Sequence, residues 1–173
     1  MRHIMLAFCT LFFVSPANAQ TRPVISFDNI ISAKLDTIKP GMNDLVKTFG
    51  KNSYKSGSYK TKYNTDFKVG KGMMFLSEDE YNQTMQLDFS SIYYDGTNDL
   101  FVKFYEDIIK KVTEMLLATH SRQPEERKEN HYQTIFYEKG KNVSDSPTSV
   151  FILYDAYSGK FPTVSIYFYR KNK

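Results

Sequence analysis

Residues 131–170 contain three runs that predict neighbouring β-strands: "HYQTIFYE" (131–138), "TSVFILYD" (148–155) and "TVSIYFYR" (163–170). Aromatic and β-branched residues fill each run, and such residues favour strands. The two links between the runs are short, and each contains a glycine and a proline. Because short links join antiparallel neighbours, the three runs predict one antiparallel unit.

The third run also predicts which side of its strand is buried. Side chains alternate between the two faces of a strand. The alternation places Val164, Ile166 and Phe168 toward the core. It directs Tyr167 and Tyr169 to the opposite face.

A long amphipathic helix is predicted over about residues 98–119, with Thr97 or Asn98 as its N-cap. The charged run "SRQPEERKEN" (121–130) that follows is expected to be a surface connection. The apolar stripe of the helix recurs at helical spacing. It consists of Phe101, Phe104, Tyr105, Ile108, Ile109, Val112, Met115 and Leu116. Two i,i+4 ion pairs are expected on its outer side: Glu106 with Lys110, and Asp107 with Lys111.

Two strands are predicted before this helix. "MMFL" (73–76) predicts a short buried strand. Met85, Leu87 and Phe89 alternate with polar residues, which indicates a half-buried strand. The alternation slips at residues 90–91, which predicts a β-bulge.

A capping-box pattern separates these two strands. Ser77 is followed three positions later by Glu80, the spacing at which the two side chains cap a helix start. The pattern predicts one or two helical turns over residues 78–83.

A short helix is predicted within "TIKPGMNDLVKTFGK" (37–51), with Met42, Leu45, Val46 and Phe49 on one face. Its apolar residues recur at helical spacing. Asn43 is a suitable N-cap. Gly50 stands where a helix commonly ends in a left-handed residue. The two glycines of this segment are therefore expected to delimit a helix, because the spacing of a phosphate-binding loop is absent.

The segment "IKPGMNDLVKTFGK" (38–51) resembles part of small bacterial envelope lipoproteins of the outer-membrane assembly-factor type, and of related β-lactamase-inhibitor-like modules. The shared feature is Pro-Gly-Met followed by a short helix and a glycine. The resemblance implies one or two short helices before an antiparallel sheet. It also implies a protein that binds other proteins and catalyses no reaction.

Together these patterns predict an α+β fold. We expect an antiparallel sheet of four to six strands packed against one long helix, with one or two short N-terminal helices. Residues 20–173 are expected to form a single domain, since about 150 residues suit one core. The 14 Phe and 13 Tyr residues, with no Trp, agree with a sheet-rich fold.

The N-terminus "MRHIMLAFCTLFFVSPANAQ" has the three parts of a secretory signal peptide. Arg2 precedes an apolar run that ends at Val14, and small residues lead to Ala19. The apolar run is too short to span a membrane, which takes about 20 residues. We therefore expect residues 1–19 to be a signal peptide and the mature chain to have no transmembrane segment. Cys9 is the only cysteine, and a cysteine-free mature protein suits a bacterial periplasm or secretion from a bacterium.

Composition and motifs argue against several functions. A net charge of +4 is small for a nucleic-acid-binding domain, so no nucleic-acid partner is expected. His120 and His131 stand apart and lack the motifs of a nucleophilic site or a zinc site. The sequence predicts no metal, no cofactor and no catalytic residue. A hydrolase with an unrecognised carboxylate site remains an alternative.

The lysine- and tyrosine-rich segment "KNSYKSGSYKTKYNTDFKVGKG" (51–72) is the strongest binding candidate. Lysines attract anionic groups, and tyrosines offer faces for stacking. The same pattern suits an edge hairpin whose lysines prevent aggregation, with a turn at residues 56–57. The candidate residues are Tyr54, Lys55, Tyr59, Lys60, Lys62 and Tyr63.

Two partner classes follow from these expectations. The first is another envelope or secreted protein, bound by an accessory, inhibitor or immunity protein. The second is an anionic envelope or cell-wall polymer, bound by residues 51–71. Export, small size and the absence of a catalytic motif favour the first.

The signal peptide gives a direct prediction. Cleavage after Ala19 should leave Gln20 as the first residue of the exported protein. N-terminal sequencing of the periplasmic or secreted product measures this. An intact Met1 on a protein that stays in the cytoplasm would contradict it.

Overall fold

The computed structural model describes residues 21–42, 44–56, 60–156 and 161–172. Within these residues nine strands form one antiparallel sheet. They are β1 (Asn52–Ser56), β2 (Lys60–Asn64), β3 (Met73–Glu78), β4 (Asn82–Ser90), β5 (His120–Arg122), β6 (Glu126–Lys128), β7 (His131–Glu138), β8 (Thr148–Asp155) and β9 (Thr163–Lys171). The strand order is β1-β2-β3-β4-β9-β8-β7-β5, and β6 also pairs with β7.

Helices accompany the sheet. They are α1 (Phe27–Ile30), α2 (Ser32–Gly41), α3 (Leu45–Phe49), α4 (Asn98–Leu116) and a 3₁₀ helix (Val143–Asp145). In the part of the chain that the structure describes, no helix combines the length and the apolar content needed to cross a membrane.

The predicted fold of four to six strands against one long helix, with one or two short N-terminal helices, is wrong. The described residues contain nine strands, and three helices precede the first of them. Two of the missed strands, β5 and β6, have three residues each and lie mainly in the charged run expected to be a surface connection. All of β6 is exposed, so it has no buried alternation by which a strand is recognised.

The long helix α4 has the apolar stripe that its sequence predicts. All eight stripe residues are buried, and the side chain of Thr97 accepts a hydrogen bond from the Leu100 amide at the N-cap. The helix packs against β8 and β9 and reaches β5. Its 19 residues span about 28 Å, enough to carry the chain from β4 over β9, β8 and β7 to the far edge of the sheet.

Charged residues of α4 have different partners from the expected i,i+4 pairs. Glu106 pairs with Arg127 of β6, and Lys111 pairs with Asp36 of α2. Asp107 pairs with Lys103, one turn earlier in the helix. Two of the four charged residues thus form ion pairs with other elements, because α2 and β6 lie beside the helix.

The short helix α3 begins later than predicted and ends without a left-handed residue. The side chain of Asp44 caps it by accepting from the Lys47 amide, and the expected cap Asn43 lies outside the described residues. Gly50 has φ −85° and ψ 123°, an extended conformation. A Cβ atom on Gly50 would come within 2.8 Å of the Val46 carbonyl oxygen, so close packing makes glycine necessary here.

The predicted helical turn over 78–83 is wrong, because this segment joins β3 to β4 in a hairpin. Asp79 stabilises the connection: its Oδ1 accepts from the amides of Tyr81 and Asn82. A side-chain acceptor followed by turn residues occurs both at helix starts and in tight turns. The local sequence pattern therefore does not distinguish a helix start from a turn.

The strands beside this hairpin differ from prediction in two details. β3 is not fully buried, since Met73 and Phe75 are 42% and 41% exposed. β4 alternates as predicted, with Met85, Leu87 and Phe89 buried. At residues 90–91 the chain leaves the strand for a turn, so the slip in alternation marks the strand end and no bulge forms.

The core lies between α4 and one face of the sheet. Val164, Ile166 and Phe168 are buried there, as their alternation predicts. Tyr167 and Tyr169 lie on the other face and are partly exposed. The three strands from 131 to 171 are antiparallel neighbours, as predicted.

The central position of α4 gives a stability prediction. Ile108 is fully buried, so Ile108→Ala should lower the free energy of unfolding by about 2–5 kcal/mol. Lys110→Ala on the exposed side of the same helix is the control and should change it by less than about 0.5 kcal/mol. Urea denaturation measures both. Equal midpoints would show that the face is not buried.

Candidate functional site

The sheet has a second face that none of the helices α1 to α4 covers in the described chain, while Val143 of the 3₁₀ helix lies beside Phe151 and Tyr169 there. Helices α3 and α4 lie on the other side: the Leu45 amide bonds to Gln83, and the Tyr105 hydroxyl bonds to Thr134. Gln83 and Thr134 share their strand faces with buried core residues. The alternate residues of β3, β4, β7, β8 and β9 therefore form an open face.

A row of side chains crosses this open face at one level. Strand register aligns five residues from five adjacent strands: Phe75, Gln86, Tyr167, Phe151 and Ile135. Four of the five are apolar or aromatic, and none is charged. We call this set the central row.

Aromatic rings pack on one another in and beside the central row. The rings of Tyr167 and Tyr169 are stacked, with centroids 6.0 Å apart and planes at 11°. Phe151 meets Tyr169 edge-on at 5.1 Å. Burial raises the pKa of both tyrosine hydroxyls, and the negative charge of Asp88 adds to the shift at Tyr167. Both hydroxyls thus remain protonated at neutral pH and can donate hydrogen bonds.

The register partners of Tyr169 are polar and uncharged. Thr84 and Ser149 are the register partners of Tyr169 on either side. Charged residues stand farther along the same strands, such as Asp88 on β4 and Lys171 on β9. An aromatic centre with a polar surround is the composition of a protein-binding surface.

A cavity of about 880 Å³ adjoins the open face between β2 and β3. These strands pair only over Thr61–Tyr63, after which the chain diverges and returns at Gly72. The lining includes Lys62, Lys68, Lys71, Met73, Phe75 and Asp88. The Oδ1 atom of Asp88 is buried and has no hydrogen-bond partner within the described part of the chain.

The six predicted binding residues fall at different places. The strand register places Tyr54 opposite Lys62, and Lys55 opposite Thr61, in the predicted hairpin of β1 and β2. Tyr59 lies outside the described residues, as do the side chains of Tyr54, Lys55 and Lys60. Lys62 lines the cavity.

Tyr63 lines the same cavity as Lys62, although adjacent strand residues point to opposite faces. The Tyr63 hydroxyl donates to Glu78 Oε2 at 2.6 Å on the covered side. This hydrogen bond, with burial and the charge of Glu78, raises the pKa of Tyr63 to about 12. The structure therefore uses Tyr63 in an internal contact.

The sequence patterns did not indicate Phe75 and Phe151 as candidate site residues. The outward alternation of Tyr167 and Tyr169 was a usable signal, since β9 carries aromatic residues on both of its faces. The central row itself depends on strand register, which links residues far apart in sequence.

His120 is held in a buried polar cluster by hydrogen bonds at both ring nitrogens. Thr148 donates its hydroxyl proton to Glu138 Oε1 at 2.6 Å. His120 Nε2, 3.1 Å from the same hydroxyl oxygen, must therefore be the donor, while Nδ1 faces the hydroxyl of Thr119. With Nε2 as the donor, Nδ1 of the neutral ring accepts the hydroxyl proton of Thr119 at 2.8 Å.

Residues that could bind a metal do not gather in the described part of the chain. No group of three or more His, Cys, Asp or Glu side chains has a metal-binding arrangement within those residues. His131 lies 3.7 Å from Asp155 at the surface end of β7.

Comparisons of this chain with protein-family models, with curated proteins and with solved structures found no match.

The His120 cluster gives a pH prediction. Burial lowers the pKa of His120 below its ordinary value, and the charge of Glu138 and the bond to Thr148 oppose the shift only in part. The unfolded chain therefore binds a proton first as pH falls below about 6.5, so stability should decline there. His120→Gln cannot titrate, and its stability should vary less with pH in that window. Urea denaturation at a series of pH values measures the two slopes, and parallel slopes would contradict the prediction.

Proposed function

We propose that this chain is an exported, non-catalytic protein that binds another protein through the open face of its sheet. The observation that carries the proposal is the central row together with Tyr169. Tyrosine and phenylalanine side chains contribute most to binding when they lie at the centre of an interface. Contiguous apolar surface of this kind on a soluble protein commonly marks an interaction site.

The size of the open face suits a protein partner. Strands lie about 4.8 Å apart and rise about 3.4 Å per residue, so the face measures roughly 30 Å by 25 Å. That is on the order of 800 Å², the area that one partner buries in an interface of standard size. A protein partner can cover a sheet surface of this extent.

The charges at the margin favour a partner with acidic groups. Lys62, Lys68 and Lys71 stand at the β2–β3 side of the open face, and none of them forms an ion pair within the described residues. Complementary charge at a rim speeds association and orients the partner more than it adds affinity. We therefore expect a partner surface with an apolar patch bordered by carboxylates on one side.

Two features of the sequence support export and a binding role. Residues 1–19 have the organisation of a signal peptide. Residues 38–51 resemble a segment of envelope proteins that bind other proteins.

A paired set of variants tests the open face. Phe151→Ser with Tyr169→Ser removes the edge-on ring contact, and the affinity for the partner should fall by about 2 kcal/mol or more. Tyr81→Ser with Leu117→Ser is the matched control, since these residues are 68% and 66% exposed away from the central row. Calorimetric titration of a purified partner, found by cross-linking in an envelope extract, measures the affinity of each variant.

A second measurement does not depend on the stability of the variants. A photoreactive amino acid at Gln86 should cross-link the partner, and the same group at Tyr81 should not. Equal affinity of both double variants for the partner, or cross-linking from Tyr81 alone, would contradict the proposal. A wild-type dimer that the Phe151/Tyr169 variant cannot form would instead assign the face to a second copy of this chain.

A further inference from the structure

The cavity between β2 and β3 has the size of a small-molecule site. Its volume of about 880 Å³ lies within the range of about 300–1,000 Å³ that is usual for ligand pockets. It forms because β2 and β3 pair over three residues only, and the chain from Asn64 to Gly72 then encloses the gap. The cavity adjoins the open face but is distinct from the centre of the aromatic cluster.

The cavity has an excess of positive charge. Lys62, Lys68 and Lys71 line it, and no described side chain forms an ion pair with any of them. The acid of the same loop, Asp66, is paired with Lys51. Asp88 is the one carboxylate in the described lining, and it lies on the β4 side. An anionic group therefore has its best position on the lysine side.

The same cavity has an apolar surface next to the lysines. Met73 and Phe75 line it and are 42% and 41% exposed. Both belong to β3 and point to the open face, so they lie on one side of that strand. A ligand that covered them would remove apolar surface from water.

The lysine-bearing wall of the cavity is fixed in place. The buried hydroxyl of Tyr94 accepts a hydrogen bond from the Lys71 amide, and Val69 is 2% exposed. Gly70 has φ +56°, and a Cβ atom there would collide with the Tyr94 hydroxyl. A wall held in this way loses little freedom when a ligand binds.

We propose that this cavity binds an amphiphilic organic anion, with a carboxylate or phosphate head and an apolar body. Lys62, Lys68 and Lys71 bind the head as point charges, which suits either anion. Met73 and Phe75 contact the body. This chemistry is shared by fatty acids and by phosphate-bearing lipids with one chain, and the experiment separates the two sources.

The test is calorimetric titration of the mature protein with soluble amphiphiles below the concentration at which they form micelles. Decanoate represents the carboxylate source and decyl phosphate the phosphate source. Decyl glucoside and decyltrimethylammonium carry the same chain on a neutral and a cationic head. At least one anionic ligand should bind, and the neutral and cationic ligands should bind more weakly by roughly tenfold or more. The anion that binds more tightly identifies whether the head group is a carboxylate or a phosphate.

A series of ligand chain lengths and a series of salt concentrations separate the contributions of apolar surface and charge. Each added pair of methylenes, from octanoate to decanoate to dodecanoate, should tighten binding by roughly tenfold while the chain stays inside the cavity. Raising the salt concentration should weaken binding, because exposed charges are screened over about 8 Å at physiological ionic strength. No dependence on chain length would contradict the apolar contact.

Variants assign the site within the protein. Lys62→Gln, Lys68→Gln and Lys71→Gln combined should weaken binding by roughly tenfold or more. The matched control, Lys110→Gln, Lys139→Gln and Lys141→Gln combined, makes the same change in net charge at exposed positions elsewhere and should bind as the wild type does. Phe75→Ser should also weaken binding, whereas Ile92→Ser, at another exposed apolar residue, should not.

Three outcomes would overturn the inference: no binding of either anion by the wild type, equal loss in the two lysine variants, or equal binding of the neutral amphiphile. The titrations use no protein partner, and the partner-affinity variants alter Phe151 and Tyr169, which do not line the cavity. Failure of one proposal is therefore distinguishable from failure of the other.

Discussion

The packing of α4 against one face of the sheet is the contact on which the rest of the structure depends. Its buried stripe, including Phe104 and Ile108, forms the core with β4, β8 and β9. The same helix carries the chain from the middle of the sheet to its far edge. Strands β5 to β9 then return toward β4, and β9 completes the sheet by pairing with it. One helix thus fixes both the core and the strand order.

A helix on one side leaves the two faces of the sheet with different requirements. Polar groups on the covered face must find partners, since an unpaired buried group is costly. Gln83 shows this: its oxygen accepts from the first amides of α3, and its nitrogen donates to Glu78. The Tyr63 hydroxyl donates to the same carboxyl. The side chains of the covered face are therefore used in contacts within the protein. The open face is the side of the sheet that remains accessible to a partner.

The two proposed sites meet at Phe75 and Gln86 but use different physical features of the open face. The protein-binding surface relies on aromatic side chains that support one another laterally across β8 and β9. The cavity relies on a break in strand pairing, which brings lysines of a loop near apolar residues of β3. Continuous pairing makes a flat surface suited to a protein, and interrupted pairing makes an enclosure suited to a small ligand.

The sequence by itself determined the elements whose pattern is local. Helical spacing located α4, and alternation located β4 and the core side of β9, because both periodicities are set by backbone geometry within one segment. Tertiary structure decided what depends on neighbours: the exposed strand β6, the hairpin at Asp79, and the extended Gly50 beside the Val46 carbonyl. Tertiary structure also determined which residues lie together in the two proposed sites. Lys62 and Tyr63 are adjacent in sequence yet lie on opposite faces, while Phe75 and Phe151 reach one row only through the register of the strands between them.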